Sequence, residues 1–447
     1  MRVAVVGSGI AGLGAAWLLA RRHSVTLFEA DRHLGGHANT VDVTLDGVAH
    51  PVDTGFLVYN RRTYPNLCAL FAHIGVEPVA SEMSFAVSLL DRDIEWAGTD
   101  LGTVFAQRRN AVRPAFLRML ADILRFNRAA AAVAASGDAS EATLGEFLER
   151  GRYGDAFRDW YLLPMAAAIW SCPTRAMLDY PVATFARFCH NHALLQVEDR
   201  PRWLTVRGGA REYVRRLASR LDDVRLAAPV RCVDGIPGAL RVATDAGTET
   251  FDQVVLACHS DQALRLLAHP TEMERGILGR LRYQANRAVL HTDERLLPRR
   301  ASVRSSWNFL GAASGKDHPV GVSYLINRLQ PLPFRTPVVV TLNPPVSPAP
   351  GKVIAEFDYE HPVFDRGAID AQAALDAIQG RRGLWFCGAW TGYGFHEDGL
   401  KSGLAVANAL GCYAPWQAGF RTVAAARAKA GRPSGAAVLQ VPSKVAQ

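Results

Sequence analysis

Cysteine is scarce and scattered: seven among 447 residues, at 68, 172, 189, 232, 258, 387 and 412, an odd number with no C-x-x-C pair. That spacing excludes a zinc ribbon and a disulfide framework, and a reducing cytosol is the expected setting. There is no run of 18 apolar residues, so no membrane-spanning helix is expected. G-x-S-x-G, Walker A and H-E-x-x-H are also missing, which removes the nucleophile elbow, the P-loop and the zincin helix. Acidic residues are lacking from Arg421 onward, where Arg421, Arg427, Lys429, Arg432 and Lys444 supply five of the eight net positive charges and leave +3 on residues 1–420. So small a surplus on the body, with a short basic tail rich in Ala, Gly and Pro, reads as a frayed terminus and not as a nucleic-acid arm.

What is present is ordinary for a globular chain: 49% apolar and 21% charged residues. The length gives two to four domains at roughly 150 residues each, and a chain of this size buries about three-quarters of its unfolded surface. Met1-Arg2 followed by VAVVGSGIAGLGAAWLLA has the outline of a secretory leader. The glycines at 7, 9, 12 and 14 argue for something else.

Arg2 to Val6 is a short β-branched run that stops at Gly7-Ser8-Gly9-Ile10-Ala11-Gly12, a helical segment follows to Arg21, and SVTLF from Ser24 to Phe28 ends at Glu29. Strand, G-x-G-x-x-G, helix, strand and acid in this order form a dinucleotide-binding unit. Gly7 allows the tight turn, Gly9 lets a pyrophosphate approach the backbone, and Gly12 lets helix pack on strand. The helix N-terminus offers free N–H groups to phosphate. Glu29, seventeen residues after Gly12, is placed to accept from ribose hydroxyls and disfavours a 2′-phosphate.

After the second strand comes Asp31-Arg32-His33-Leu34-Gly35-Gly36-His37, a loop able to close over the pyrophosphate from the other side. His33 and His37 do not read as a metal pair, because the two glycines between them oppose helical geometry; no metal site is expected. Farther on, Asp53-Thr54-Gly55-Phe56 follows a hairpin-like VDVTLDGVAHPVD. Pro114 can start a helix, with Phe116, Leu117, Leu120, Ile123 and Leu124 at helical spacing, and Thr143 to Glu146 is a capping box. Arg207-Gly-Gly-Ala210 opens a helix to Leu221, then come VRLAAPVRCV, a hairpin ALRVATDAGTETF and the strand QVVLACH. The last block runs from the strand Gly383–Gly388 through Gly392, Gly394 and Gly399 into an amphipathic run from Leu400 to Leu410. A helix starting near Asp398-Gly399 would point its dipole at whatever precedes it.

GSGIAGL, the glycine pair 35–36 and FCGAWTGYGFHEDGLKSGLAVA together resemble the FAD-binding pattern of the flavin-containing amine oxidase superfamily. VDTGFLVYN, LHTDERLLP, SSWN and SYLINRLQ are similar to one branch of it, bacterial NAD/FAD-binding oxidoreductases like the flavoprotein domain of plant cyclopropane fatty acid synthases. The resemblance implies an α/β fold with a discontinuous Rossmann-like FAD-binding domain (1–75, 201–275, 351–415). A second, mixed α+β substrate domain would comprise 76–200, helix-rich, and 276–350, followed by a basic tail at 416–447. It implies non-covalent FAD held by Gly7, Gly9, Ile10, Ala11 and Gly12 of the turn, by Glu29 and Ala30, by Gly35, Gly36 and His37, by Thr54 and Gly55, by Val230, and by Gly388, Gly399 and Leu400. In relatives, arginine is common where this chain has His37.

Flavin takes the hydride, so the protein must bind, orient and exclude water. His396 is the candidate for proton transfer, oriented by Glu397 or Asp398, which alternatively cap the loop. Trp307, Asn308, Tyr324 and Asn327-Arg328 fall in the expected substrate domain, to line a tunnel or to pack a sheet. Trp390 and Tyr393 are the candidates for an aromatic cage. The lysine that many amine oxidases use near the flavin has no clear counterpart. His190-Asn191-His192 reads as structural contacts or pocket lining. Arg108 to Arg128 holds six arginines against one acid, Asp122, among apolar residues; it lies on an anionic membrane or forms a solvated face. The expectation is an FAD-dependent oxidoreductase in lipid-linked redox chemistry, with acyl lipids favoured over amines. A true amine oxidase and a non-catalytic, flavin-bearing partner of a lipid-modifying enzyme are the alternatives. The expected location is the cytoplasm, with contact at the inner membrane face left open.

Overall fold

The computed structural model describes residues 1–136, 142–170, 174–196, 200–311 and 321–420. Cys172 and the basic residues from Arg421 lie outside the described residues. Among the described residues no helix is long and apolar enough to cross a membrane.

Two short apolar strands, Arg2–Val6 (β1) and Ser24–Phe28 (β2), are each buried over their last four residues. Burial on both faces is the mark of a parallel sheet covered on both sides. Asp223–Arg225 (β3), Gln253–Leu256 (β4) and Leu384–Phe386 (β5) join them. The five strands are parallel, in the order β3-β2-β1-β4-β5, so pieces nearly 380 residues apart share one sheet. The order reverses between β1 and β4, and doubly wound sheets bind ligands in the crevice beyond the carboxyl ends at such a switch.

The helix Ile10–Leu19 (α1) is buried all round, because it is covered by Arg211–Ala218 (α2) and His396–Ala409 (α3). Gly12 lets α1 pack on the turn after β1: a Cβ there would stand 1.9 Å from the Gly7 carbonyl oxygen. On the far side, a Cβ at Gly403 would stand 2.2 Å from the Ala11 oxygen, so α3 lies backbone to backbone on α1. The hairpin expected from VDVTLDGVAHPVD is Thr40–Leu45 paired with Val48–Asp53, turning at Asp46 (φ 50°) and Gly47 (φ 77°), the pair of left-handed residues a two-residue hairpin needs.

A second sheet has seven strands, in the order Val353–Val363, Arg282–His291, Val339–Leu342, Gly321–Leu325, Trp307–Gly311, Phe85–Leu89, Ile94–Ala97. It is antiparallel except where Trp307–Gly311 runs parallel to Phe85–Leu89. The segment expected to be helix-rich, 76–200, thus opens with strands: Pro78–Ser81, Phe85–Leu89 and Ile94–Ala97. The last two are buried on both faces almost throughout, so they show none of the alternation that marks a half-exposed strand. Helices follow as expected. Pro114–Ser136 and Leu144–Arg150, the latter with the Thr143/Glu146 capping box in place, pack with Val182–Asn191 around Phe116, Phe126, Phe157 and Phe185, all fully buried. His190 and His192 fall at the end of that last helix.

Candidate active site

A cavity of about 1650 Å³ runs from the Gly-rich turn after β1 to the seven-stranded sheet. Single small-molecule pockets occupy about 300–1,000 Å³, so this one has room for a dinucleotide and a second molecule. Its two ends differ in chemistry.

At the first end β1 delivers Gly7 at φ 101°, with its N–H donating to the Phe28 carbonyl at 2.8 Å. A Cβ at Gly7 would press to 2.9 Å from the Ala257 oxygen beyond β4, which is the switch point. Gly9 is different. Its backbone is ordinary (φ −60°, ψ 174°), and nothing lies within 4 Å of where its Cβ would be. Neither conformation nor packing calls for glycine there, and the open space faces the cavity at the start of α1. Gly36, in the left-handed region at φ 56°, comes within 3.4 Å of the Gly9 Cα, measured from its own Cβ position, so the paired-glycine loop lies against the turn. A pyrophosphate fits this cradle, with helix N–H groups and a partial positive charge to meet it.

Glu29 closes the unit. Its Oε2 accepts from the Ser8 amide at 2.9 Å and the Ser8 hydroxyl at 2.5 Å, and its Oε1 accepts from the Asp31 amide at 2.9 Å. The Ser8 oxygen in turn accepts the Gly35 amide at 3.0 Å. A carboxylate offers about four lone-pair sites, so one remains toward the cavity, which Glu29, Ala30 and Val230 all line. Thr54 and Gly55 line it as well; Thr54 Oγ1 donates to the Asn39 carbonyl at 3.1 Å and lies 3.0 Å from the Tyr359 hydroxyl.

His37 sits deeper than its position in the loop suggests. Its ring stacks on Tyr359 (4.9 Å between centroids) and lies 5.4 Å from His361 and 6.4 Å from His259. Burial, then the neighbouring imidazoles, hold its pKa well below the usual value. His37 is therefore a neutral member of a histidine cluster, not a cationic substitute for arginine. His259, His361 and Tyr359 come from two other segments, and their separation along the chain left no sequence signal.

Behind this end, Asp53 is buried and accepts from Thr40 Oγ1 (2.5 Å), the Ala210 amide (2.9 Å) and Gln330 Nε2 (2.6 Å). Burial raises its pKa to about 6 against the pull of those hydrogen bonds. It ties the hairpin to α2 and to the turn after the Gly321–Leu325 strand.

In the last block, α3 begins at His396, two residues before the expected start. The His396 ring stacks on Phe56 at 3.8 Å, and its Nε2 lies 3.0 Å from the Tyr213 hydroxyl. Burial pushes its pKa down to about 3, so at neutral pH it is the uncharged imidazole and not an imidazolium acid. Glu397 does not orient it: that carboxylate accepts from the Asn66 and Leu67 amides at 3.0 and 2.9 Å and caps the helix Pro65–Ile74. Asp398, raised to about 6 by burial, accepts from the Tyr393 and Phe395 amides, both at 3.1 Å. Both are loop caps. Gly388 lines the cavity, while Gly399 and Leu400 face α1 instead: Cβ positions at Gly399 and Gly14 stand 2.9 Å from Ile10 and 2.7 Å from Leu400. Gly12 likewise serves packing, and Ile10 and Ala11 reach the cavity from the start of α1. Cys387 follows directly after β5, fully buried, with burial raising its thiol pKa.

The second end is apolar, with Met83, Phe85, Met165, Ile169, Leu342 and Phe357 among its walls. Trp307 and Tyr324 line it in a T-shaped pair at 4.9 Å, and the Trp307 indole nitrogen is buried with no hydrogen-bond partner. Trp390 and Tyr393 line the cavity too. Trp390 donates to the Cys258 carbonyl at 3.1 Å, and Tyr393 packs on Phe188 at 5.6 Å. Asn308 and Asn327 are not on the cavity. Asn308 is fully buried and bonded to Ser305 and Ser323, and Asn327 pins the loop at Phe334, Thr336 and Val338. Asparagine stapling backbone, not substrate contact, accounts for both. His192, at the end of its helix, lines the cavity with a pKa pushed by burial to about 4. Arg200 and Arg202 stand exposed on the rim.

Residues 10–324 match the family model for flavin-containing amine oxidoreductases. A carotenoid phi-ring synthase of Streptomyces griseus is 30% identical over 300 residues, 61% of this chain and 54% of that protein; the chain thus spans about half the length of the curated relative it matches. Among solved structures, cyclohexylamine oxidase from Brevibacterium oxydans superposes with a TM-score of 0.65 at 15% identity, covering 92% of this chain and 99% of that one. A CLA-producing fatty acid isomerase from P. acnes gives 0.64 at 14%, covering 90% and 96%. At such identities these two likenesses bear on fold alone.

Proposed function

The chain belongs to the flavin-containing amine oxidoreductase family, with FAD as its cofactor and oxidation–reduction as its chemistry; on that premise we propose that it oxidises an apolar substrate of acyl-lipid type. When bound, FAD supplies the acceptor for a hydride. The turn around Gly9, with the start of α1 and Gly36, holds the pyrophosphate, and the remaining lone pair of Glu29 holds a ribose hydroxyl. His396 acts as a neutral wall, fixed by Phe56 and Tyr213, and helps keep water out.

The observation that carries the substrate class is the second end of the cavity: apolar walls leading to a rim with two exposed arginines, Arg200 and Arg202. A long hydrocarbon with an anionic head suits that gradient. The Trp307 indole N–H is buried on the cavity wall without a partner, as is that of Trp170, and it suits a carbonyl or hydroxyl partway along the chain.

The test is anaerobic reduction of the purified holoprotein, followed by its visible spectrum, with acyl lipids and with amines. Bleaching by acyl lipids alone supports the reading. Bleaching by amines alone overturns it in favour of an amine oxidase.

A further inference from the structure

The segment from Asp100 to Arg128 forms an exposed face that none of the chemistry above uses. Six arginines and two aspartates fall within it. One of the aspartates, Asp122, is buried and shared: Arg125 reaches it at 3.0 Å and Arg118 at 3.9 Å, and it also accepts the Gly154 amide. The two arginine side chains remain 49% and 66% exposed, so the face stays strongly positive. Arg113 lies over the Trp160 ring at 4.9 Å, and Arg109 pairs with Asp93.

Large apolar residues are exposed among these charges. Leu101 is 77% exposed, Val112 80%, Leu117 43% and Leu124 49%. On the helix Pro114–Ser136, Leu117, Ala121, Leu124 and Arg128 succeed one another at steps of four, three and four, so they share one solvent-facing stripe. The opposite stripe, with Phe116, Met119 and Phe126, is buried in the helical cluster. A helix with one face in the core has no folding reason to present leucines on the other.

Apolar residues interleaved with arginines match one surface better than others. Leucines enter the headgroup boundary of a bilayer while arginines bury their stems and keep their guanidinium groups among lipid phosphates. We propose that the face spanning Leu101 to Arg128 docks on an anionic phospholipid bilayer. The place of the cavity fits this. Gly98 and Thr99 are exposed and line the cavity, and they lie immediately before the Asp100-capped turn that carries Leu101. Tyr161, next to the Trp160 that Arg113 covers, also lines it. Docking by this face therefore brings a mouth of the cavity to the lipid. It goes beyond the substrate class proposed above and is read without turnover.

The experiment is co-flotation of the yellow holoprotein with vesicles of phosphatidylcholine alone and of equimolar phosphatidylcholine and phosphatidylglycerol. Binding to the anionic vesicles is expected to exceed binding to the neutral ones by roughly tenfold or more, and to fall with added salt. L117D/L124D, at exposed positions, should abolish flotation with FAD still bound; R108S/R128S should weaken it and flatten its salt dependence. Equal binding to both vesicle types, no binding by the wild type, or leucine variants that float unchanged would each overturn the proposal. So would a concentration-dependent dimer that L117D/L124D dissociates, because the face would then belong to a second copy.

Discussion

The Ser8 hydroxyl donates to Glu29 Oε2 at 2.5 Å while its oxygen accepts the Gly35 amide at 3.0 Å. One side chain thus connects the turn after β1, the acid after β2 and the paired-glycine loop. Glu29→Ala removes a charged ribose contact and releases all three segments; it should weaken FAD binding by about 1.5–3 kcal/mol, roughly ten- to 150-fold in Kd. Ser8→Ala should weaken it less. Titration of apoprotein with FAD, followed by flavin fluorescence, measures both, and an unchanged Kd for Glu29→Ala would mean that the carboxylate serves only the loops.

Gly9 and Gly12 should separate folding from binding. An alanine Cβ at 9 meets nothing within 4 Å, whereas one at 12 meets the Gly7 oxygen at 1.9 Å. Gly9→Ala should leave the urea midpoint of the apoprotein nearly unchanged and reduce FAD affinity at least tenfold. Gly12→Ala should lower the midpoint itself, by about 2 kcal/mol or more in stability. Equal effects at the two positions would refute the cradle.

His396 should contribute no ionisation to catalysis near neutrality. With its pKa near 3, the pH profile of flavin reduction between 5 and 9 should keep its shape in His396→Asn, with only the plateau lowered. His396→Ala, which also removes the stack on Phe56, should slow reduction more than it weakens FAD binding. A pH step that vanishes in His396→Asn would restore the histidine as a proton carrier.

Stability should fall on acidification. Burial holds His192, His291 and His361 near 4 and His396 near 3 in the fold, against about 6.5 unfolded. The unfolded chain therefore binds protons that the fold refuses, and stability present above pH 6.5 is lost as pH drops toward 4. Asp53 and Asp398, raised to about 6, act in the opposite sense over pH 4–6 and offset part of this. Each group contributes about 1.4 kcal/mol per pH unit across its window. The urea midpoint at pH 5 should lie below that at pH 7, and His361→Gln should flatten the difference. A midpoint that rises toward pH 5 would contradict it.

Features written in contiguous residues were legible from the chain. The turn at 7–12, the acid at 29, the hairpin at 40–53 and the Thr143 capping box are local, and each fixes its neighbours through bonds a few residues long. Features made by distant pairing were not. The strand Phe85–Leu89 lies between its near neighbour Ile94–Ala97 and the distant Trp307–Gly311, and burial on both faces erased its period. The same holds for His37 with His259 and His361, which meet only in the fold. Asn308 and Asn327 misled for another reason: a polar residue near an expected tunnel looks like a substrate contact until its bonds to the backbone are seen.

The parallel sheet has a consequence for biosynthesis. Its middle strand, β1, emerges first from the ribosome, yet β4 follows some 250 residues later and β5 nearly 380. At about 5–20 residues per second, β5 arrives roughly 20–75 s after β1, and until β4 is made one edge of β1 has no neighbour. An unpaired edge is a template for aggregation, so the nascent chain should depend on a chaperone over that interval, and an arrested N-terminal product should accumulate as insoluble material.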